Sequence, residues 1–226
     1  MISHEHQCIF IHIPKTAGTS INSFFHPDVK FRFKNPDYER LFGWCPKRKL
    51  HMQHATVKQL LETELVTEEQ WKTYYKFTFV RNPWDRAYSD YKFIQKFSGI
   101  TGSFSDYINK TGPFSEILNN SNSQNYLGDH LLPQTSFFDL EGKYQLDYVG
   151  SFENFHEDIY EILKDLNILK KFDIHINKSK RKTNYANFYT CSMENLVAKK
   201  YMQDIKALGY KFDNNRTGLN KLKKFL

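Results

Sequence analysis

Two hydrophobic periods alternate along the chain. Residues 7–13 (QCIFIHI) are apolar, β-branched and aromatic over a strand's length and end at Pro14, which predicts a short buried strand with His12 alternating inside it. A turn over 15–18 then leads into a helix from Thr19 to about Phe25. Residues 55–62 and 67–74 read as helices, the second opened by a Thr67/Gln70 capping box. Residues 76–80 (KFTFV) form a second apolar strand. Asn82 and Pro83 start a helix running to about Phe97, with Ala87, Tyr91 and Ile94 on its apolar face. After a Gly-, Ser- and Asn-rich stretch, residues 146–152 predict a third strand. A helix capped by Asn154 follows, burying Phe155, Ile159, Ile162, Leu163 and Leu166. One long helix over 192–208, closed by Gly209, comes last, and residues 1–7 read as a frayed end. Strands alternating with helices predict an α/β fold: a single domain over 1–226, with a central, mainly parallel sheet flanked by helices.

Composition narrows the class. With 226 residues, 40% hydrophobic and 16% aromatic, the chain is too apolar for a disordered segment and long enough to bury a core. No apolar run approaches the roughly 20 residues of a membrane span, and no signal peptide is visible. Three widely spaced cysteines form no disulfide framework and suit a reducing compartment. The net charge of +7 is uneven: residues 164–226 carry +10 and the remainder −3. A basic final third calls for an anionic partner but does not choose between nucleotide, nucleic acid and anionic glycan.

Two segments carry chemistry. In residues 10–20 (FIHIPKTAGTS) a strand meets a tight turn and then a helix start. Backbone N–H groups at a helix start form an anion site. Lys15 adds a full charge, Gly18 permits the turn, and Thr16, Thr19 and Ser20 add hydroxyls. The Lys precedes the only Gly, so this is not the Walker A order. In residues 77–91 (FTFVRNPWDRAYSDY), Arg81 stands where a buried strand ends, the edge at which parallel sheets bind ligands. Ser89 follows two helical turns later, and both side chains suit one phosphate. Asp85 is placed to pair with Arg86 or to cap locally.

Together, IPKTAGTS and FVRNPWDRAYSDY resemble the paired cofactor motifs of sulfotransferases that use 3′-phosphoadenosine 5′-phosphosulfate (PAPS). The closest resemblance is to the carbohydrate branch, which includes heparan sulfate 2-O-sulfotransferases and related bacterial enzymes. It implies that Lys15, Thr16, Gly18, Thr19 and Ser20 bind the 5′-phosphosulfate, and that Arg81 and Ser89 bind the 3′-phosphate. YVGSFENF at 148–155, HINKSKRKT at 175–183 and the closing ALGYKF resemble further family segments. The basic loop among these implies that Ser179 and Arg181 face the nucleotide. The resemblance spans most of the chain and is weakest over 98–127, where, with the basic, aromatic stretch 27–50, the acceptor is chosen.

What the resemblance implies is in-line transfer of a sulfuryl group from PAPS to a carbohydrate hydroxyl, with no metal. Lys15 would stabilise the leaving oxygen and a His would act as base. His54 matches the second member of a family His pair; His51 and His130 are its rivals and the candidates for substrate contact. Cys45, His51 and His54 have the wrong spacing for zinc. Two other classes compete: a Mg-dependent nucleotide kinase-like transferase, which lacks a convincing acidic metal ligand after a strand, and a nucleic-acid-binding protein using the basic final third. The enzyme reading implies a cytoplasmic bacterial protein, at most attached to a membrane surface, with no nucleic-acid partner. Oligomeric state is open.

Overall fold

The computed structural model describes residues 1–174 and 184–225, the Lys224 side chain excepted. In chain order the strands are β1 (Ile2–Ser3), β2 (Cys8–Ile11), β3 (Trp44–Cys45), β4 (Leu50–His51), β5 (Tyr75–Val80) and β6 (Tyr148–Ser151). The α-helices are α1 (Gly18–Phe25), α2 (Val57–Glu62), α3 (Glu68–Thr73), α4 (Pro83–Ser98), α5 (Phe104–Asn109), α6 (Ser115–Asn119), α7 (Phe155–Asp165), α8 (Cys191–Lys200) and α9 (Met202–Ala207). The chain divides into two compact units. The first comprises residues 1–80, 121–124 and 134–178, and the second 81–120, 125–133 and 179–226.

The first unit holds the sheet, in the order β1-β2-β5-β6. The β2–β5 and β5–β6 pairs are parallel and only the β1–β2 pair is antiparallel, so the sheet is mainly parallel as expected. Cys8, Phe10, Phe77 and Phe79 share one face by the period of two, and Phe10 stacks on Phe77 at 5.1 Å. Ile21, Phe24 and Phe25 of α1 and Ile159, Ile162 and Leu163 of α7 close over that face. Each fully buried Phe or Ile there is worth about 1.5–3 kcal/mol. Thr78, fully buried, donates its hydroxyl to the Ile11 carbonyl at 2.6 Å, tying β5 to the last residue of β2. The cysteines are free thiols. Burial pushes the Cys8 thiol up to about 12, so it stays an inert packing group.

The second unit is helical. Trp84, Ala87, Tyr91 and Ile94 of α4 pack with Phe104, Tyr107, Phe114, Leu118, Tyr189, Val197 and Tyr201. Tyrosine hydroxyls at its core find acceptors: Tyr189 donates to the Trp84 carbonyl at 2.7 Å and Tyr91 to the Gly102 carbonyl at 2.6 Å. Asn82 accepts from Trp84 N at 3.1 Å with Pro83 in the first turn, as the sequence predicts. Among the described residues, no helix is long and apolar enough to cross a membrane.

Four local expectations need correction. Residues 1–7 are not frayed: β1 pairs with β2, and His4 bonds the Tyr74 hydroxyl at 3.0 Å. His12 lies beyond the end of β2 rather than inside a strand. Asn154 stands at the start of α7 without a side-chain cap; Asp158 reaches back instead and accepts from Ser151 N at 2.6 Å. The helix over 192–208 is broken at Tyr201, whose ring is buried while its hydroxyl reaches the Leu131 carbonyl at 3.4 Å. Seating that ring wins over one continuous helix.

Candidate functional site

The first motif is a strained turn. Lys15 (φ 73°) and Ala17 (φ 72°) both adopt left-handed backbone, which costs a non-glycine residue on the order of 1 kcal/mol each. Left-handed residues alternating with ordinary ones turn successive N–H groups inward, the arrangement that makes an anion nest. The turn opens onto α1, where Ala17 provides no side-chain cap and the first turn holds no acidic residue. The positive end of the helix dipole is therefore not offset locally. Thr16 is fully buried and donates its hydroxyl to the Ile13 carbonyl at 2.7 Å, so its hydroxyl proton secures the turn. Lys15 is half-buried, Thr19 exposed and Ser20 buried.

Gly18 is required by a close approach. A Cβ there would overlap the imidazole of His12. The same His12 ring meets His54 edge-on, with centroids 5.0 Å apart. His12 thus neighbours both Gly18 of the turn and His54. His54 ends a 3-10 turn (Met52–His54) that follows the β3–β4 hairpin. Gln53 fixes that turn by accepting from Gly43 N at 2.8 Å, and the Thr56/Gln59 capping box starts α2 just after it. His51 lies in β4, packed edge-on against Trp44 at 5.0 Å and 6.5 Å from His54. The first unit therefore brings together Lys15, Thr16, Gly18, Thr19, Ser20, His54 and His51.

The other candidates lie in the second unit. Arg81 directs Nε (2.9 Å) and Nη2 (2.7 Å) at one Asp85 oxygen, so Asp85 pairs with Arg81 rather than with Arg86. Arg86 is buried and donates to the carbonyls of His130 (2.8 Å) and Leu132 (2.9 Å). Ser89 is half-buried on α4. His130 is buried, stacks on Phe93 at 5.5 Å, and meets Asp90 through Nδ1 at 2.6 Å. Tyr107 donates to the other Asp90 oxygen at 2.7 Å. Burial, then the Asp90 carboxylate, push the Tyr107 phenol well up, so it remains a donor. Ser179 and Arg181 lie outside the described residues.

Sequence reasoning missed His12 and Asp90. The alternation of residues 7–13 made His12 look like core, and it is buried; what the sequence did not show is its closeness to Gly18 and His54. Asp90 drew no notice in the sequence; on α4 it meets His130 and Tyr107.

The family model of the sulfotransferase family matches residues 1–215. The chain belongs to the sulfotransferase family. A protein of Archaeoglobus fulgidus described as uncharacterized is 27% identical to this sulfotransferase over 106 residues, covering 46% of this chain and 77% of the relative. No solved structure matches it. The family match spans both units, so the turn at Lys15–Gly18 and the strand end at Arg81 belong to an enzyme of sulfuryl transfer.

Proposed function

We propose that this sulfotransferase moves a sulfuryl group from PAPS to a hydroxyl of a carbohydrate, and that residues 1–226 form one catalytic domain. The observation that carries the reading is the strained, uncapped turn at Lys15–Gly18, with His12 neighbouring both Gly18 and His54. Its donor set fits a phosphosulfate: inward N–H groups, a helix start and one ammonium. PAPS supplies a sulfuryl group on a phosphate leaving oxygen. Lys15 and the turn's N–H groups stabilise the charge that grows on that oxygen, and His54 takes the proton of the attacking hydroxyl. The sulfuryl group carries less charge than a phosphoryl group, so one Lys and backbone donors suffice and the reading uses no metal. His12 holds the His54 ring in place. His51 and His130 are the candidates for acceptor contact, and the family resemblance gives Ser179 and Arg181 to the nucleotide.

Arg81 and Ser89 hold the 3′-phosphate. Asp85 keeps the guanidinium of Arg81 oriented at the end of β5. Calorimetry checks this. The desulfated product, with both phosphates, binds far more tightly than 5′-AMP. Arg81→Ala removes about 1–3 kcal/mol of that binding, several-fold to a few hundred-fold in affinity. Equal affinity of the parent for both nucleotides contradicts the assignment of Arg81 and Ser89.

A further inference from the structure

The buried face of α4 has a charged interruption. Ala87, Asp90, Tyr91 and Ile94 share that face at helical spacing, yet Asp90 carries a carboxylate and is only 1% exposed. Two donors meet it. Tyr107, fully buried, donates to one Asp90 oxygen at 2.7 Å, and His130 Nδ1 lies 2.6 Å from the other. The same helix holds His130 at two further points. Arg86, one turn before Asp90, donates to the His130 carbonyl at 2.8 Å. Phe93, one turn after it, stacks on the imidazole with centroids 5.5 Å apart and planes 7° from parallel. A carboxylate only accepts hydrogen bonds, so the proton between Asp90 and His130 belongs to Nδ1, and in the neutral ring Nε2 carries the lone pair.

Stability does not account for this arrangement. Burying a carboxylate is costly, and apolar side chains of similar volume commonly replace buried ionic groups without loss. Gripping one residue by its carbonyl, its ring face and Nδ1 instead fixes the orientation and tautomer of its imidazole. On the reading above, in which the enzyme sulfates a carbohydrate and His130 meets it, we propose that Asp90, backed by Tyr107, is a positioning residue. It holds His130 in the tautomer whose Nε2 accepts a hydrogen bond from a hydroxyl of the sugar. His54 keeps the proton transfer, and His130 orients the acceptor. Tyr107 decides what the mildest substitution does. In Asp90→Asn the amide gives its oxygen to one neighbour and its NH2 group to the other. The buried Tyr107 hydroxyl needs an acceptor, so the oxygen turns to Tyr107 and the NH2 group to Nδ1. The ring proton then moves to Nε2.

Nitrogen-15 spectra of the imidazoles, with His130 assigned by its loss in His130→Ala, read the tautomer without any acceptor present. In mildly alkaline buffer the parent shows His130 protonated on Nδ1 and bare at Nε2, and Asp90→Asn reverses the two. Tyr107→Phe keeps the parental tautomer, because Asp90 remains a carboxylate. In labelled transfer from PAPS, Asp90→Asn raises the acceptor KM by about tenfold, the loss of one hydrogen bond, while kcat falls less. Calorimetry with the desulfated product gives parental nucleotide affinity. A parent ring protonated on Nε2 overturns the proposal, and that result needs no variant to fold. An unchanged tautomer in Asp90→Asn, or a reversed one with the parental KM, overturns it too. Absence of labelled transfer by the parent, beside the expected tautomers, overturns carbohydrate sulfation itself and with it the sugar as the partner of His130.

Discussion

Replacing His54 with alanine is expected to lower turnover by roughly 10²–10⁴, the usual contribution of a positioned general base, while nucleotide affinity stays near that of the parent. The split follows from the division of roles. In the proposed mechanism His54 serves the acceptor hydroxyl and not the phosphates. Lys15→Ala, by contrast, loses turnover and nucleotide affinity together. The base must be neutral to accept a proton. A protonated imidazole cannot take that proton, so turnover should fall on the acid side. Steady-state kinetics with parallel calorimetry give the readout. His54→Ala with near-normal turnover, beside a His130→Ala variant that loses it, would move the base to the His130–Asp90 pair and leave sulfuryl transfer standing.

Gly18→Ala is expected to be nearly as damaging, although it adds one methyl group. That methyl occupies the space of the His12 imidazole, which is itself buried against His54. Overpacking of this kind costs about 1–3 kcal/mol. Displacing the ring also shifts the base, and a misplacement near 1 Å costs on the order of 10² in rate. Melting temperature and turnover should therefore fall together. Adding His12→Ala to Gly18→Ala removes the overlap and should restore stability without restoring turnover, since His54 then lacks its support. Parental stability and turnover in the single variant would show that the imidazole moves aside freely and that the close approach has no bearing on catalysis.

Local chemistry made much of the fold legible. The apolar runs at 7–13 and 76–80 became β2 and β5. Thr67 with Gln70, and Asn82 with Pro83, fixed two helix starts because a cap depends only on neighbours a few residues away. The turn at Lys15–Gly18 was legible for the same reason. What escaped depends on contacts distant in sequence. Nothing near His12 announces that its ring fills the space a side chain at position 18 would need. Nothing near Asp90 announces that it receives Tyr107 and His130, 17 and 40 residues away. The break at Tyr201 goes with burial of its ring, whose hydroxyl reaches the Leu131 carbonyl 70 residues away, and no helix period reports that. Asn154 has the right residue type for a cap, but Asp158 reaches the strand end first.

The central claim is the transfer itself. The full chain, incubated with sulfate-labelled PAPS and a panel of oligosaccharides, glycolipids and simple glycosides in the presence of a metal chelator, should label at least one carbohydrate acceptor, and the label should be lost with Lys15→Ala. Labelled phosphate passing instead from a nucleoside triphosphate, in a reaction that the chelator stops, or tight nucleic-acid binding with no label on any carbohydrate, would contradict it.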